Sequence, residues 1–427
     1  MALGGGTFTA QNKVLPGSYI NVVSASRASA TLGERGVVAM PYNLTWGNPG
    51  EVITVTAEEF ITDSMKIFGY AYSDDAMRDF REVFKHAQKV HVYNLAVANT
   101  TKASCNYGTA KKAGDRGNNL KIVIQKNIDN ESLFDVTLYL GNAVVLAETV
   151  ATIADLPEND YVVWSNQALA VTAGLAFTGA TYEPSTTAEE QAALNALESY
   201  NFNVLVPSGI DYVDLYIAFT KRMRDTVGVK FQTIVTNYRG VDYEGVVQLP
   251  EHQNNAKYWA AGALAGCAVN KSCTNMLYDG ELTISCTETQ TELEQRIKDG
   301  MFVFHKVEDE VRVLVDINSF VSVTDEKNEL FSSNQTIRVI DERANTSASI
   351  FNKKYLGKVH NDASGRISFW SDLVSHAKQL ETLRAIENYN SDDLKVLPGE
   401  KKTAVSVQDA LTIVGTMEKL YMTTVIS

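Results

Sequence analysis

The sequence has few cysteines, and those few are scattered. Its 427 residues contain four of them, Cys105, Cys267, Cys273 and Cys286. Four irregularly spaced cysteines do not make a disulfide framework, and no two have the C-x-x-C spacing of a zinc site. We therefore expect reduced thiols, no metal site, and a reduced cytoplasmic origin.

The sequence also has fewer positive than negative charges, and it has no long apolar run. Lys and Arg total 38 against 51 Asp and Glu, which gives a formal net charge of −13. A nucleic-acid surface needs clustered Lys and Arg, so we expect no nucleic-acid partner. No apolar run approaches the roughly 20 residues of a membrane helix, and the N-terminus lacks the pattern of a signal peptide. We expect no membrane insertion.

Catalytic and nucleotide-binding motifs are missing as well. The chain has six histidines: His86, His91, His252, His305, His360 and His376. None lies in a glycine-rich turn of the kind that frames a catalytic histidine, and Ser208, in VPSG, belongs to no G-x-S-x-G motif. There is also no G-x-x-x-x-G-K-[ST] phosphate loop. We expect no enzyme and no cofactor, with a hydrolase as an alternative.

Two glycine patterns remain, and both favour structural roles. Gly262 and Gly266 form G-x-x-x-G in the helical string AAGALAGCA, where the missing side chains allow another helix to approach closely. Residues 108–117, GTAKKAGDRG, are basic and rich in glycine. This stretch is expected to be a solvated loop at a domain boundary, and contact with an acidic partner is the alternative.

Helix and strand patterns alternate along most of the chain. Residues 36–40 predict a buried strand that Pro41 ends, and residues 99–119 predict a loop. Strand patterns alone follow over 120–164, with turns between them. Near the end, residues 335–355 predict one long helix.

These patterns predict a multidomain chain of α/β and α+β type. Residues 1–25 form an extended N-terminal arm, and residues 26–95 with 177–325 form a discontinuous α/β domain. An all-β domain, 96–176, is inserted into it. Residues 326–427 form an α+β domain that ends in a strand arm.

Both ends of the chain have strand-forming character. In the closing stretch, Val405, Val407, Leu411 and Ile413 fall on one face of an extended chain, and Asp409 interrupts the row. A strand at a chain end needs a sheet, either in its own domain or in a neighbouring subunit. Both alternatives stay open from the residues alone. The expected arm-strand residues are Tyr19, Ile20, Val22, Val23, Leu420, Tyr421, Met422, Val425 and Ile426.

Charged residues cluster in the last quarter of the chain. The groups are Asp341, Glu342 and Arg343; Lys353, Lys354 and Lys358; and Glu418 with Lys419. Each is expected either to lie on a solvated face or to form salt bridges between subunits. Exposed ion pairs of this kind contribute about 1 kcal/mol or less, so a switching interface can exchange them.

Four strings along the chain together resemble a known family. They are LPGSYINV (15–22), IRVID (337–341), YLGKVHNDASGR (355–366) and MEKLYM (417–422). In this order they resemble the contractile phage tail sheath proteins, in the shorter form found in tailed phages and phage-like particles of Gram-positive bacteria.

The resemblance implies a fold and a function. The α/β domain is expected to have subtilisin-like topology, and the sheet of the C-terminal domain is expected to accept arms from neighbours. The protein is expected to be a structural subunit that stacks as hexameric rings around a tail tube and contracts. Its expected partners are copies of itself, the tail tube protein, and baseplate and terminator proteins. It is expected in a virion or a phage-tail-like particle, assembled in the host bacterial cytoplasm. Another tail or baseplate structural protein is the alternative.

Overall fold

The computed structural model describes residues 35–238 and 240–426. The helices are α1 Ala57–Phe68, α2 Arg78–Phe84, α3 Thr187–Leu197, α4 Val213–Lys221, α5 Lys257–Gly266, α6 Gln290–Lys298, α7 Asn334–Ile350 and α8 Ala363–Thr382. The strands are β1 Val37–Tyr42, β2 Val52–Thr56, β3 Lys89–Asn94, β4 Ser104–Cys105, β5 Gly108–Ala110, β6 Leu120–Lys126, β7 Phe134–Leu140, β8 Ala143–Val150, β9 Val162–Trp164, β10 Thr172–Ala176, β11 Val204–Leu205, β12 Gln232–Thr236, β13 Val246–Leu249, β14 Phe304–Val307, β15 Glu310–Val313, β16 Ile386–Glu387, β17 Lys395–Pro398, β18 Val405–Gln408 and β19 Thr412–Ile413.

A six-stranded sheet lies at the centre of residues 35–95 and 183–320, which we call the central body. Its order is β13-β12-β11-β1-β3-β2, and only the edge strand β2 runs antiparallel to its neighbour. Strand β12 is buried along its whole length, as expected for a parallel strand covered on both faces. Buried residues of α2 and α5 pack on one face, and those of α3 and α4 pack on the other.

The prediction that Pro41 ends the first strand is wrong. Strand β1 continues to Tyr42, and Pro41 is paired in register with Tyr93 of β3. On its other side β1 pairs with β11 only at Val38 and Ala39. Pro41 therefore has a strand neighbour on one side only, where a missing N–H is tolerated.

The predicted close helix packing at the G-x-x-x-G pattern is confirmed. A Cβ atom at Gly262 would lie 2.2 Å from the carbonyl oxygen of Val83, and one at Gly266 would lie 2.2 Å from that of His86. Both carbonyls belong to α2 or the residues just after it. Helices α2 and α5 therefore touch backbone to backbone, and no larger residue fits at either glycine.

Residues 96–182 form two small antiparallel sheets with their own apolar core. The sheets have the orders β10-β6-β7-β8 and β4-β5-β9. In β7 the side chains of Val136, Leu138 and Leu140 are buried, in the alternation that the sequence shows. The stretch 99–119 is not simply a loop, because it contains β4 and β5. These strands are too short to show an alternating pattern.

The last hundred residues combine α7 and α8 with two small two-stranded sheets, β17-β18 and β16-β19. The long helix predicted over 335–355 is confirmed as α7, which continues as one wider turn over Phe351–Tyr355. The expected strand over 405–413 is split into β18 and β19, with Asp409 between them. The subtilisin-like topology of the central body stays a prediction.

Candidate functional site

One face of α7 is bound to the central body by buried ion pairs. Arg338 donates from Nη2 to Asp316 Oδ2 at 2.5 Å, and Arg224 donates to both carboxylate oxygens of Asp341 at 2.7 and 2.8 Å. Burial alone would lower the pKa of Arg224, but the Asp341 carboxylate raises it above its ordinary value. Removing one partner of such a pair strands a buried charge, at a cost of about 3–5 kcal/mol.

Two amide side chains on the same face of α7, one near each end of the helix, also bind the central body. Asn334 donates to Asp316 Oδ1 at 2.9 Å and accepts from Gln232 at 2.8 Å. Asn345 accepts from the backbone N–H of Lys230 at 3.0 Å and donates to its carbonyl at 2.8 Å. Positions 334, 338, 341 and 345 recur every three or four residues, so they lie on one helix face. This face fixes α7 rigidly to the central body.

A neighbouring face of α7 holds the terminal segment, residues 409–426. Arg343 donates to Asp409 Oδ2 at 2.7 Å, and Val339 shares an apolar cluster with Leu411 and Ile413. One turn earlier, Gln335 contacts the backbone of residues 414 and 416. The contacts follow positions 343, 339 and 335 in turn, so the terminal segment runs antiparallel to α7.

These contacts correct the prediction made for the charged cluster on α7. Asp341, Glu342 and Arg343 neither face solvent nor lie free for bridges to other subunits, because all three are at most 8% exposed in this chain. Of the lysines that follow, Lys354 pairs with Asp372 at 3.0 Å, and Lys358 donates to a backbone carbonyl at 2.7 Å. The three charged residues of α7 therefore stabilise the subunit itself.

Beyond Glu418 the terminal segment leaves the body. Glu418 accepts a hydrogen bond of 3.1 Å from Thr274, and the residues that follow pair with no strand in the described part of the chain. The predicted arm residues here are between 77% and 92% exposed: Leu420, Tyr421, Met422, Val425 and Ile426. A contiguous exposed apolar segment marks an interaction surface.

The other predicted arm residues, Tyr19, Ile20, Val22 and Val23, lie outside the described residues. Arg35 donates to the carbonyls of Cys267 and Leu264, at 2.7 and 3.0 Å, where α5 ends. The nearby carbonyl of Lys271 accepts from Arg338 at 2.8 Å. Arg35 therefore lies near the junction of α7 with the central body.

The β17-β18 hairpin has no further strand on either edge among the described residues. Leu397 and Val407 on this hairpin are 42% and 41% exposed. A cavity of about 440 Å³ lies beside it. Its walls include the apolar Phe351, Tyr355, Val359, Phe369 and Val405 and the basic Lys358, Arg366 and Lys402. Unpaired strand edges next to an apolar groove are a surface on which an extended chain can dock.

Ser208 and the basic loop, residues 108–117, both contact other residues of this chain. Ser208 donates at 2.6 Å to the fully buried Glu190, which also accepts from Tyr216 at 2.6 Å. In the basic loop, Lys111 pairs with Glu158 at 3.2 Å and thus contacts its own chain. Among the described residues there is no cluster of three or more potential metal ligands, and no helix is long and apolar enough to cross a membrane.

Four family models match consecutive parts of the chain. They describe a "Tail sheath protein Gp18 domain III N-terminal region" over 35–95 and a "Phage tail sheath protein beta-sandwich domain" over 96–182. A "Phage tail sheath protein central domain" follows over 183–319, and a "Phage tail sheath C-terminal domain" over 326–427. These matches define the class as structural subunits of tail sheaths.

Similar proteins lead to the same family. A sheath tail protein from Desulfitobacterium hafniense is 33% identical, with a TM-score of 0.81 over 95% of this chain and 99% of that one. The phage-like element PBSX protein XkdK of Bacillus subtilis (strain 168) is 27% identical over 98% of this chain and 99% of its own length. The contracted helical sheath of the anti-feeding prophage, 11% identical, shares the fold with a TM-score of 0.58 over 96% of this chain and 98% of that one. The chain belongs to the phage tail sheath protein family, which confirms the resemblance seen in the sequence.

Proposed function

We propose that this chain is the sheath subunit of a contractile phage tail or phage-tail-like particle. Copies stack as hexameric rings around a tail tube, and contraction drives the tube through the target envelope. The subunit acts as a structural protein and not as an enzyme, and it meets the tube, baseplate and terminator proteins after assembly in the host cytoplasm. Family membership supports this role, as does the fold shared with a sheath in a contracted state.

The observation that carries the proposal is the exposed apolar end of the terminal segment. In a single subunit its side chains face solvent, although their pattern is that of a strand covered on both faces. The matching acceptor is the β17-β18 hairpin of a neighbouring copy, whose edges are open in the described chain. A strand added there makes on the order of four backbone hydrogen bonds, each worth about 0.5–1.5 kcal/mol net.

The length of the free end suits a short connection between adjacent subunits. Residues 419–426 reach about 26 Å when fully extended, at roughly 3.3 Å per residue. Each subunit gives a strand to one copy and receives one from another. Such head-to-tail contacts build rings or helices and do not close into a dimer.

The contacts of α7 suit rigid-body contraction. Its buried ion pairs hold the C-terminal residues 326–427 to the central body, so the subunit rotates as one unit while the arms keep neighbours connected. We propose the domain division that the sequence indicates: 1–25, 26–95 with 177–325, 96–176, and 326–427. The linker after residue 176 packs on the inserted domain, because Phe177 and Ala180 lie in its apolar core. Residues 1–25 then supply the second arm, through Tyr19, Ile20, Val22 and Val23.

Deletion of residues 417–427 tests the proposal. The wild-type chain is expected to form tubes or stacked rings in negative-stain electron microscopy as its concentration rises, and the deletion variant is expected to stay monomeric with unchanged circular dichroism. The Leu420→Asp variant, which places a charge in the exchanged strand, is expected to lose assembly too. Ile128→Asp is a matched control, because Ile128 is 96% exposed on the inserted β domain. Normal tubes from the deletion variant would overturn the proposal.

A further inference from the structure

The terminal segment is fastened to the body up to a definite point. Val414 donates its N–H to the carbonyl of Ala385 at 3.1 Å, which completes the pairing begun by β19 and β16. Gln335 then holds the next residues by two hydrogen bonds. Its Nε2 donates to the carbonyl of Val414 at 2.9 Å, and its Oε1 accepts from the N–H of Thr416 at 3.1 Å.

The side-chain amide of Gln335 replaces a strand at this position. Bonds to the carbonyl of one residue and the N–H of the second residue after it are those that a neighbouring strand would make. Gln335 is 4% exposed and lies in the first turn of α7, next to Asn334, which is bound to the central body. We call Gln335 and its two hydrogen bonds to the terminal segment the clamp. The clamp belongs to a part of α7 that is fixed to the central body.

We propose that Gln335 is the positioning residue that determines where, and in what direction, the C-terminal arm leaves the subunit. This role rests on the strand exchange proposed above. Without the clamp, the segment beyond Val414 is held to the described residues of the body only by the exposed hydrogen bond of 3.1 Å between Thr274 and Glu418. When that bond opens, the free arm begins after Val414 and not after Glu418, and its reach grows by about 13 Å, at roughly 3.3 Å per residue. A longer and less directed arm would lower the effective concentration of its strand at the neighbouring hairpin.

Hydrogen exchange tests the clamp in the isolated full-length subunit. In Gln335→Met, the amide of Thr416 is expected to exchange about 5- to 100-fold faster, since two hydrogen bonds of ordinary net strength are lost. Amides of α8 are expected to keep wild-type rates. Gln191→Met is the matched control, because the Gln191 amide donates to Asn195 on its own helix, at 2.9 Å, and not to the terminal segment as the structure describes it. An unchanged rate at Thr416 would overturn the inference.

A second variant adds a readout that loss of packing would not produce. Gln335→Glu keeps an acceptor for the Thr416 N–H but, when ionised, cannot donate to the Val414 carbonyl. Burial raises the pKa of a carboxyl group, and its protonated form can donate again. Between pH 7.5 and 5, protection of Thr416 in this variant is expected to return toward wild type, after correction for intrinsic rates. Gln335→Met is expected to show no such recovery, and equal pH profiles for the two variants would count against the clamp.

Assembly separates this inference from the proposed function. If the 417–427 deletion abolishes tubes and Gln335→Met gives fewer tubes with irregular helical rise, both stand. If the deletion abolishes tubes but Gln335→Met forms them with wild-type yield, rise and twist, only the role of Gln335 fails. If the deletion variant itself assembles normally, the proposed strand exchange fails, and the role of Gln335 fails with it.

Discussion

The buried pair between Arg224 and Asp341 offers the sharpest test of how α7 is held. Asp341→Leu would leave the Arg224 guanidinium, whose side chain is 3% exposed, without its counter-ion. A buried charge that loses its partner costs about 3–5 kcal/mol. We expect the free energy of local opening of α7 to fall by that amount. Its most protected amides should then exchange roughly 100- to 4,000-fold faster, since about 1.4 kcal/mol is a factor of ten.

A double-mutant cycle distinguishes the stranded charge from lost packing. In Arg224→Met with Asp341→Leu no charge remains, so most of the loss should be recovered. About 1 kcal/mol is expected to stay lost, because Arg224 also donates to the carbonyl of Phe231 at 2.6 Å.

Native-state hydrogen exchange in low urea measures each variant without requiring the multidomain chain to unfold in two states. The matched control is Asp160→Leu, which removes an exposed pair with Lys66 at 3.2 Å and should change stability by at most about 0.5 kcal/mol. If Asp341→Leu behaves like this control, or if the double variant is as unstable as the single one, the argument from the buried charge is wrong.

Two further predictions concern the central body. Gly262→Ala would place a Cβ atom 2.2 Å from the Val83 carbonyl, so α2 and α5 must separate. We expect thermal unfolding to show that the free energy of unfolding falls by about 1–3 kcal/mol. Gly209→Ala is the control and should have little effect, because a Cβ atom there would meet nothing within 4 Å. Equal melting temperatures for the two variants would contradict the backbone contact. Burial would raise the pKa of Asp279. Hydrogen bonds from the indole of Trp259 at 2.7 Å and the imidazole of His86 at 3.0 Å lower that pKa below its ordinary value. Its folded pKa therefore lies below the unfolded value of about 3.9, so its stabilisation is complete above that pH and is lost as pH falls through the folded pKa. The stability difference between wild type and Asp279→Asn, measured by urea unfolding, should shrink below about pH 4, and a constant difference down to pH 3 would refute this.

Local patterns predicted the elements of this chain well where one face is apolar. The alternation in β7 and the glycines of α5 gave the correct structure, because burial on one face leaves a periodic trace in the sequence. Pro41 was misjudged because whether a strand tolerates proline depends on its neighbours. The pairing of β1 with β11 ends before Pro41, and no local pattern records this.

The polar contacts of α7 could not be predicted in the same way. A helix with Asp341 and Arg343 on it has the same periodicity whether those side chains meet water or a buried partner. Arg224 and Asp341 are 117 residues apart in the chain, and no pattern in either segment identifies the other residue as its partner. Gln335 likewise carries no local signal, since its partners lie some 80 residues later.

By itself the sequence determined the succession of helices and strands, the apolar character of the final residues, and the family to which the chain belongs. Each of these depends on local propensity, on periodicity, or on short strings of residues. Only the tertiary structure decided that the charged residues of α7 bind within the subunit, and that the terminal segment is held as far as Glu418 and exposed beyond it. Those outcomes depend on which distant segments the folded chain brings within hydrogen-bonding distance, because a buried polar group is stable only where a partner has been placed beside it.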